Sequence, residues 1–130
     1  MKTLIAMLCV MFAAAVFADT VSTEPGPAVS PAMHRYLIER TYTVDMDELP
    51  AVATRSKAIG HHRFPEIVWE HSHVVVGTDG VPKSFCVYDA PSEEMVREHS
   101  AQLGDHFVET IWEIAGDVSP DDFPLTDPPD

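Results

Sequence analysis

The chain has 130 residues, 45% of them hydrophobic, with eight Lys and Arg against 21 Asp and Glu, a formal charge of −13. So acidic a protein repels nucleic acid and anionic lipid and attracts cations. Its seven histidines nearly match its basic residues in number.

Residues 1–18 read as an export signal. Lys2 supplies the positive start, an uncharged run from Leu4 to Phe17 follows, and Val16-Phe17-Ala18 is a small-x-small cleavage pattern, which puts the cut after Ala18. The run is too short for a comfortable span, and nothing later approaches the ~20 apolar residues a membrane helix needs. The expected product is periplasmic or secreted, with no membrane association after cleavage. Cys9 leaves with the signal, so Cys86 has no partner for an internal disulfide. Residues 19–33, with Pro25, Pro27 and Pro31 and no hydrophobic period, read as a flexible leader.

The ordered domain is expected over 34–116. His34–Thr43 alternates and is rich in aromatic and β-branched residues, which predicts a strand. Asp47 is placed to cap a helix whose third position, Pro50, loses little by lacking an N–H. Leu49, Val52, Ala53, Ser56 and Ile59 form its apolar stripe, and Gly60 is the expected stop. Ile67–Thr78 is the strongest strand pattern. Asp79-Gly80 turns the chain into a returning strand at Ser84–Asp89, through a connection longer than two residues because Val81 and Pro82 intervene. Ser92 caps a second helix with Glu93 and Glu94 at its positive end, Met95, Val96, His99 and Leu103 as its stripe, and Gly104 as its stop. Phe107–Ile114 reads as a last strand. Residues 117–130 hold five Asp, four Pro and no Lys or Arg, a loose acidic tail.

The order β-α-β-β-α-β predicts an α+β, ferredoxin-like fold: a four-stranded antiparallel sheet with both helices on one face. A core this small leaves the other face in need of cover. Pairing two sheets across a homodimer, in the manner of a dimeric α/β barrel, would supply it.

His71 and His73 stand two apart in a strand and so share a face; paired neutral imidazoles suit borderline transition metals. Their plainer reading is two polar residues on a half-exposed sheet. Two imidazoles do not close a site; Glu39, which could face His71 in the ferredoxin-like strand order, and Cys86, across the hairpin, are candidates for further ligands, although a lone cysteine in an apolar strand is more often core. His99 lies on the apolar stripe of the second helix and must find a partner there, either a core acceptor or a metal or substrate. His61-His62 could hold a weaker second ion or lie idle in a loop. Arg40 and Arg97 could meet an anion or pair with a nearby Glu. No glycine-rich phosphate loop, nucleophile elbow, Cys-x-x-Cys or His-Glu-x-x-His pattern is present.

Three segments, YLIERTY at 36–42, IVWEHSHV at 67–74 and FCVYDAPSEEMVREHS at 85–100, resemble a bacterial family of small ferredoxin-like proteins that includes a dimeric nickel-binding member. The likeness covers about residues 34–115. It implies a homodimer with packed sheets and a bound divalent transition metal, nickel before copper or zinc. The positions it marks are Glu39, His71, Cys86, Tyr88, Glu94 and His99. His73 stands where the family carries an aromatic residue, and the divergent first helix adds His61-His62. The expected role is metal sequestration or delivery. A rival is a dimeric barrel enzyme or small-molecule binder using His71, Tyr88 and His99 in a pocket, and a third possibility is a structural dimer with no ligand.

Overall fold

Alternation along two central strands builds the molecule. A computed structural model describes residues 30–130; the export segment read at 1–18 and most of the leader lie outside the described residues. β1 (His34–Tyr42) buries Tyr36, Ile38 and Arg40, and β3 (Pro82–Ala90) buries Ser84, Cys86, Tyr88 and Ala90. These side chains form the helix-covered face, because residues two apart project together. Leu37, Glu39, Phe85 and Val87 point the other way.

The remaining elements are α1 (Leu49–Arg63), β2 (Val68–Val76), α2 (Glu93–Leu103) and β4 (His106–Glu113). All strand pairs are antiparallel in the order β2-β3-β1-β4, with both helices on one face, which is the ferredoxin-like plan read from the sequence. One core cluster joins the sheet to α2 through Tyr36, Ile38, Cys86, Tyr88 and Val96. A second joins the helices through Val52, Ile59, Phe64 and Leu103.

Local chemistry sets most ends. Ser92 accepts a hydrogen bond from the Met95 N–H at 3.2 Å, and Gly104, at φ 70°, closes α2 in a conformation that costs glycine little. The β2–β3 connection spans residues 77–81 and is longer than a two-residue turn, as expected, although Pro82 already opens β3.

Four expectations need correction. α1 does not stop at Gly60 but runs to Arg63, so His61 and His62 belong to its last turn rather than to a loop. Gly60 weakens a helix without forbidding it; the stop comes from Pro65, which drives Phe64 out of helical geometry to φ −133°, ψ 59°. The first helical residue follows Glu48, which makes no side-chain cap bond, so Asp47 is not the cap, and Ala53 is exposed rather than in the buried stripe. Finally, β3 separates β1 from β2, so Glu39 does not neighbour His71. Its row across the sheet runs through Phe85 to His73.

β2 is an edge strand, exposed at every position except Ser72. Its ladder to β3 shifts register between Trp69 and His71, and the bulge re-aims the residues around Glu70. α1 packs on α2 more than on the sheet. No described helix is long and apolar enough to cross a membrane. The tail from Asp117 is exposed, with one 3-10 turn at Pro120–Asp122.

Ile38 is fully buried at the centre of the sheet. Ile38→Ala is expected to lower unfolding free energy by about 2–5 kcal/mol in urea titrations. Val118→Ala, in the exposed tail, should change it by no more than about 0.5 kcal/mol.

Candidate functional site

The strand alternation that forms the core splits the candidate residues between two sides of the sheet. His71, His73 and Glu39 have the parity of the helix-free face. The His71 and His73 rings lie edge to face with centroids 5.3 Å apart, and both residues are exposed. The Glu39 carboxylate accepts a hydrogen bond from Lys83 at 3.2 Å. His71 Nδ1 is 3.9 Å from Glu70, whose carboxylate is gripped by both Nε and Nη2 of Arg35 at 2.8 and 2.9 Å. Arg35 also holds Asp117 at 2.7 Å. The guanidinium keeps Glu70 below the usual carboxylate range, whereas burial and the adjacent Glu70 charge push Asp89 up.

Cys86, Tyr88 and His99 stand on the other side, under the helices. Cys86 is a core residue whose sulfur lies 3.2 Å from Ser84 Oγ and 3.8 Å from Arg40 Nη1. His99 sits between the Phe64 and Tyr88 rings, with centroids at 5.6 and 5.7 Å. Its Nε2 donates to the Ser56 carbonyl at 3.2 Å, which leaves Nδ1 as a buried acceptor with no partner. Burial holds the His99 pKa below the ordinary imidazole value, so the ring is neutral at pH 7. Glu94 is exposed in the first turn of α2, apart from both groups.

Because α1 stands off β2, a cleft of about 660 Å³ opens between them. His61, His71, Tyr88 and His99 all border it, so the structure brings together the three residues of the pocket reading and one of the α1 histidines. His62 packs edge to face on His61 at 4.8 Å but is not in the wall. A smaller cavity of about 70 Å³ lies deeper and shares Ser56, Trp69 and Tyr88 with the cleft.

Among the described residues, only Asp45, Asp47 and Glu48 place three potential metal-ligand atoms within 4.8 Å of one another. They are exposed oxygen donors before α1, a set suited to hard cations rather than to borderline metals. No three of Glu39, His71, His73, Cys86 and His99 meet that condition within one chain.

The sequence marks Arg40 only as a residue to meet an anion or pair with a nearby Glu, and it does not single out Trp69. Arg40 shares its parity with Tyr36 and Ile38, which was a signal that its guanidinium is buried. Nothing local marks Trp69 as a cavity wall. Arg97 does pair with a nearby Glu, bonding Glu93 one turn earlier, but Arg40 does not.

The profile of the family described as nickel responsive protein SCO4226-like matches residues 36–114, and the chain belongs to that family. No curated protein and no solved structure matches it.

Burial depresses the pKa of His99 and of His106 from 6.5, so the unfolded chain takes up protons that the folded chain refuses. Their contribution to stability is complete above pH 6.5 and is lost as pH falls below it toward the folded-state values. Urea midpoints should therefore drop as pH falls from about 6.5 to 5.5, above the carboxylate range. His99→Gln should flatten part of that slope while costing about 1–3 kcal/mol at the upper pH.

Proposed function

We propose that this protein is exported, pairs as a homodimer through its open sheet faces, and sequesters or delivers nickel held by His71 and His73. The observation that carries the reading is the exposed imidazole pair, 5.3 Å between ring centroids, in a chain of a nickel-responsive family. Neutral imidazole nitrogen suits nickel, and also copper and zinc, so geometry and supply rather than raw affinity set the choice.

The donor set fits such an ion in part. One chain offers two adjacent imidazoles, with the Glu39 carboxylate in the His73 row. The further ligands come from the second copy. The open face supports the pairing: Phe107 and Trp112 of β4 are 63% and 46% exposed, and the half-buried Leu37 and Phe85 continue the apolar surface inward. Apolar patches of this kind mark contact surfaces. In this reading Cys86 and His99 serve the core on the far side of the sheet. The chain contributes ligands and shields the ion; it performs no covalent step.

Calorimetric titration of chelator-stripped, tag-free protein is expected to show saturable nickel binding by a dimer. His71→Ala combined with His73→Ala should weaken it at least tenfold, roughly the effect of losing part of a ligand set. Binding should also weaken as pH falls through about 6.5, where protons compete for the imidazole lone pairs. Absence of binding by the wild-type protein, or an unchanged affinity in the double variant, defeats the reading.

A further inference from the structure

Arg40 is a fully buried cation, 2% exposed, with no carboxylate within salt-bridge distance among the described residues. Its Nη1 donates to Tyr88 Oη at 3.2 Å and more weakly to Cys86 Sγ, and its Nη2 donates to Ser100 Oγ at 3.0 Å. The guanidinium also lies over the Tyr88 ring, 5.1 Å from its centroid. Of its five N–H donors these contacts use three, and Nε has no acceptor. A buried charge met only by neutral groups is strongly unfavourable. Arg40 lines the 70 Å³ cavity, which shares Ser56, Trp69 and Tyr88 with the wall of the larger cleft. A second unpartnered group, His99 Nδ1, belongs to a residue of the cleft wall.

We propose that the cleft between α1 and β2 binds a small organic carboxylate, its head on Arg40 in the inner cavity and its apolar body along Trp69, Ile67 and Pro65. A planar carboxylate matches two parallel guanidinium donors, which a halide does not. Most of the exposed cleft surface is carbon, as a pocket for a small organic molecule requires. The chain's charge of −13 keeps polyanions away, which leaves a single-headed acid as the guest. Trp69, 39% exposed on the edge strand and bonded through Nε1 to Ser72 Oγ at 2.9 Å, is the side chain whose rotation joins the two spaces.

Phenylacetate and its neutral twin phenylacetamide test the assignment, with the Trp69 indole N–H signal followed by NMR. Phenylacetate should produce a saturable shift, the amide should bind at least about tenfold more weakly, and Arg40→Met should abolish the difference. If Arg40→Met does not fold, the acid–amide comparison in the wild-type protein and a weakened Trp69→Ala variant carry the test. Equal affinities for acid and amide, no shift from either at millimolar concentration, or the same shift from chloride overturns the proposal. His73→Ala, outside the cleft, should keep phenylacetate binding while losing nickel affinity, so the two readings fail separately.

Discussion

Two-residue periodicity in β1 and β3 is the constraint on which everything else depends. It assigns Tyr36, Ile38, Arg40, Ser84, Cys86 and Tyr88 to the side the helices cover, and Leu37, Glu39, Phe85 and Val87 to the side they leave bare. A register slip of one residue would exchange the two sets and expose the core. The same division keeps the Cys86 thiol away from the exposed histidine pair, and only at the sheet edge does His71 border the cleft that His99 lines. The sheet therefore separates two chemistries that look like one cluster when the residues are read as a string.

The helix side is more polar than its burial suggests. Ser56, Ser84, Ser100, Tyr88 and His99 surround one guanidinium, and only neutral hydroxyls, sulfur and an aromatic face meet its charge. Burial opposes that charge, the hydrogen bond to Tyr88 favours it, and the guanidinium stays cationic. A network of this kind fixes side-chain positions, and any member left unpaired weighs heavily on it. Arg40 Nε and His99 Nδ1 are the places where it is incomplete.

Element order and several ends were legible because local chemistry decides them. Ser92 caps, Gly104 turns, and the alternation of 34–42 admits little besides a strand. What misled was non-local or balanced between close alternatives. Gly60 looked like a stop, but a glycine only lowers helix propensity, and Pro65 five residues later sets the boundary. The neighbours of Glu39 depend on which strands pair, a choice written in no single segment. Ile67–Thr78 is apolar enough for a central strand yet lies at the edge, because burial follows sheet order rather than composition. Of the candidate residues, the pairing of His71 with His73 followed from spacing alone, and the approach of His99 to Tyr88 required the helix to dock.

The anchorage of α1 has a mechanical consequence. Arg55 bonds the Leu103 carbonyl and Asp105, Arg63 bonds Gln102, and the Ser56 carbonyl receives His99, so these ties of α1 run to α2 and the turn after it. Among the described residues no hydrogen bond links α1 to β2. The helix pair is tied to the central strands, by Ser56 to Tyr88 and by Ser100 to Arg40, so the gap beside the edge strand can widen there without rupturing a polar contact to β2. That makes the width of the gap at the edge strand an elastic quantity, set by packing forces rather than by fixed bonds. Discrimination by size there is correspondingly soft, and discrimination by charge, fixed by an immobile guanidinium, is correspondingly hard.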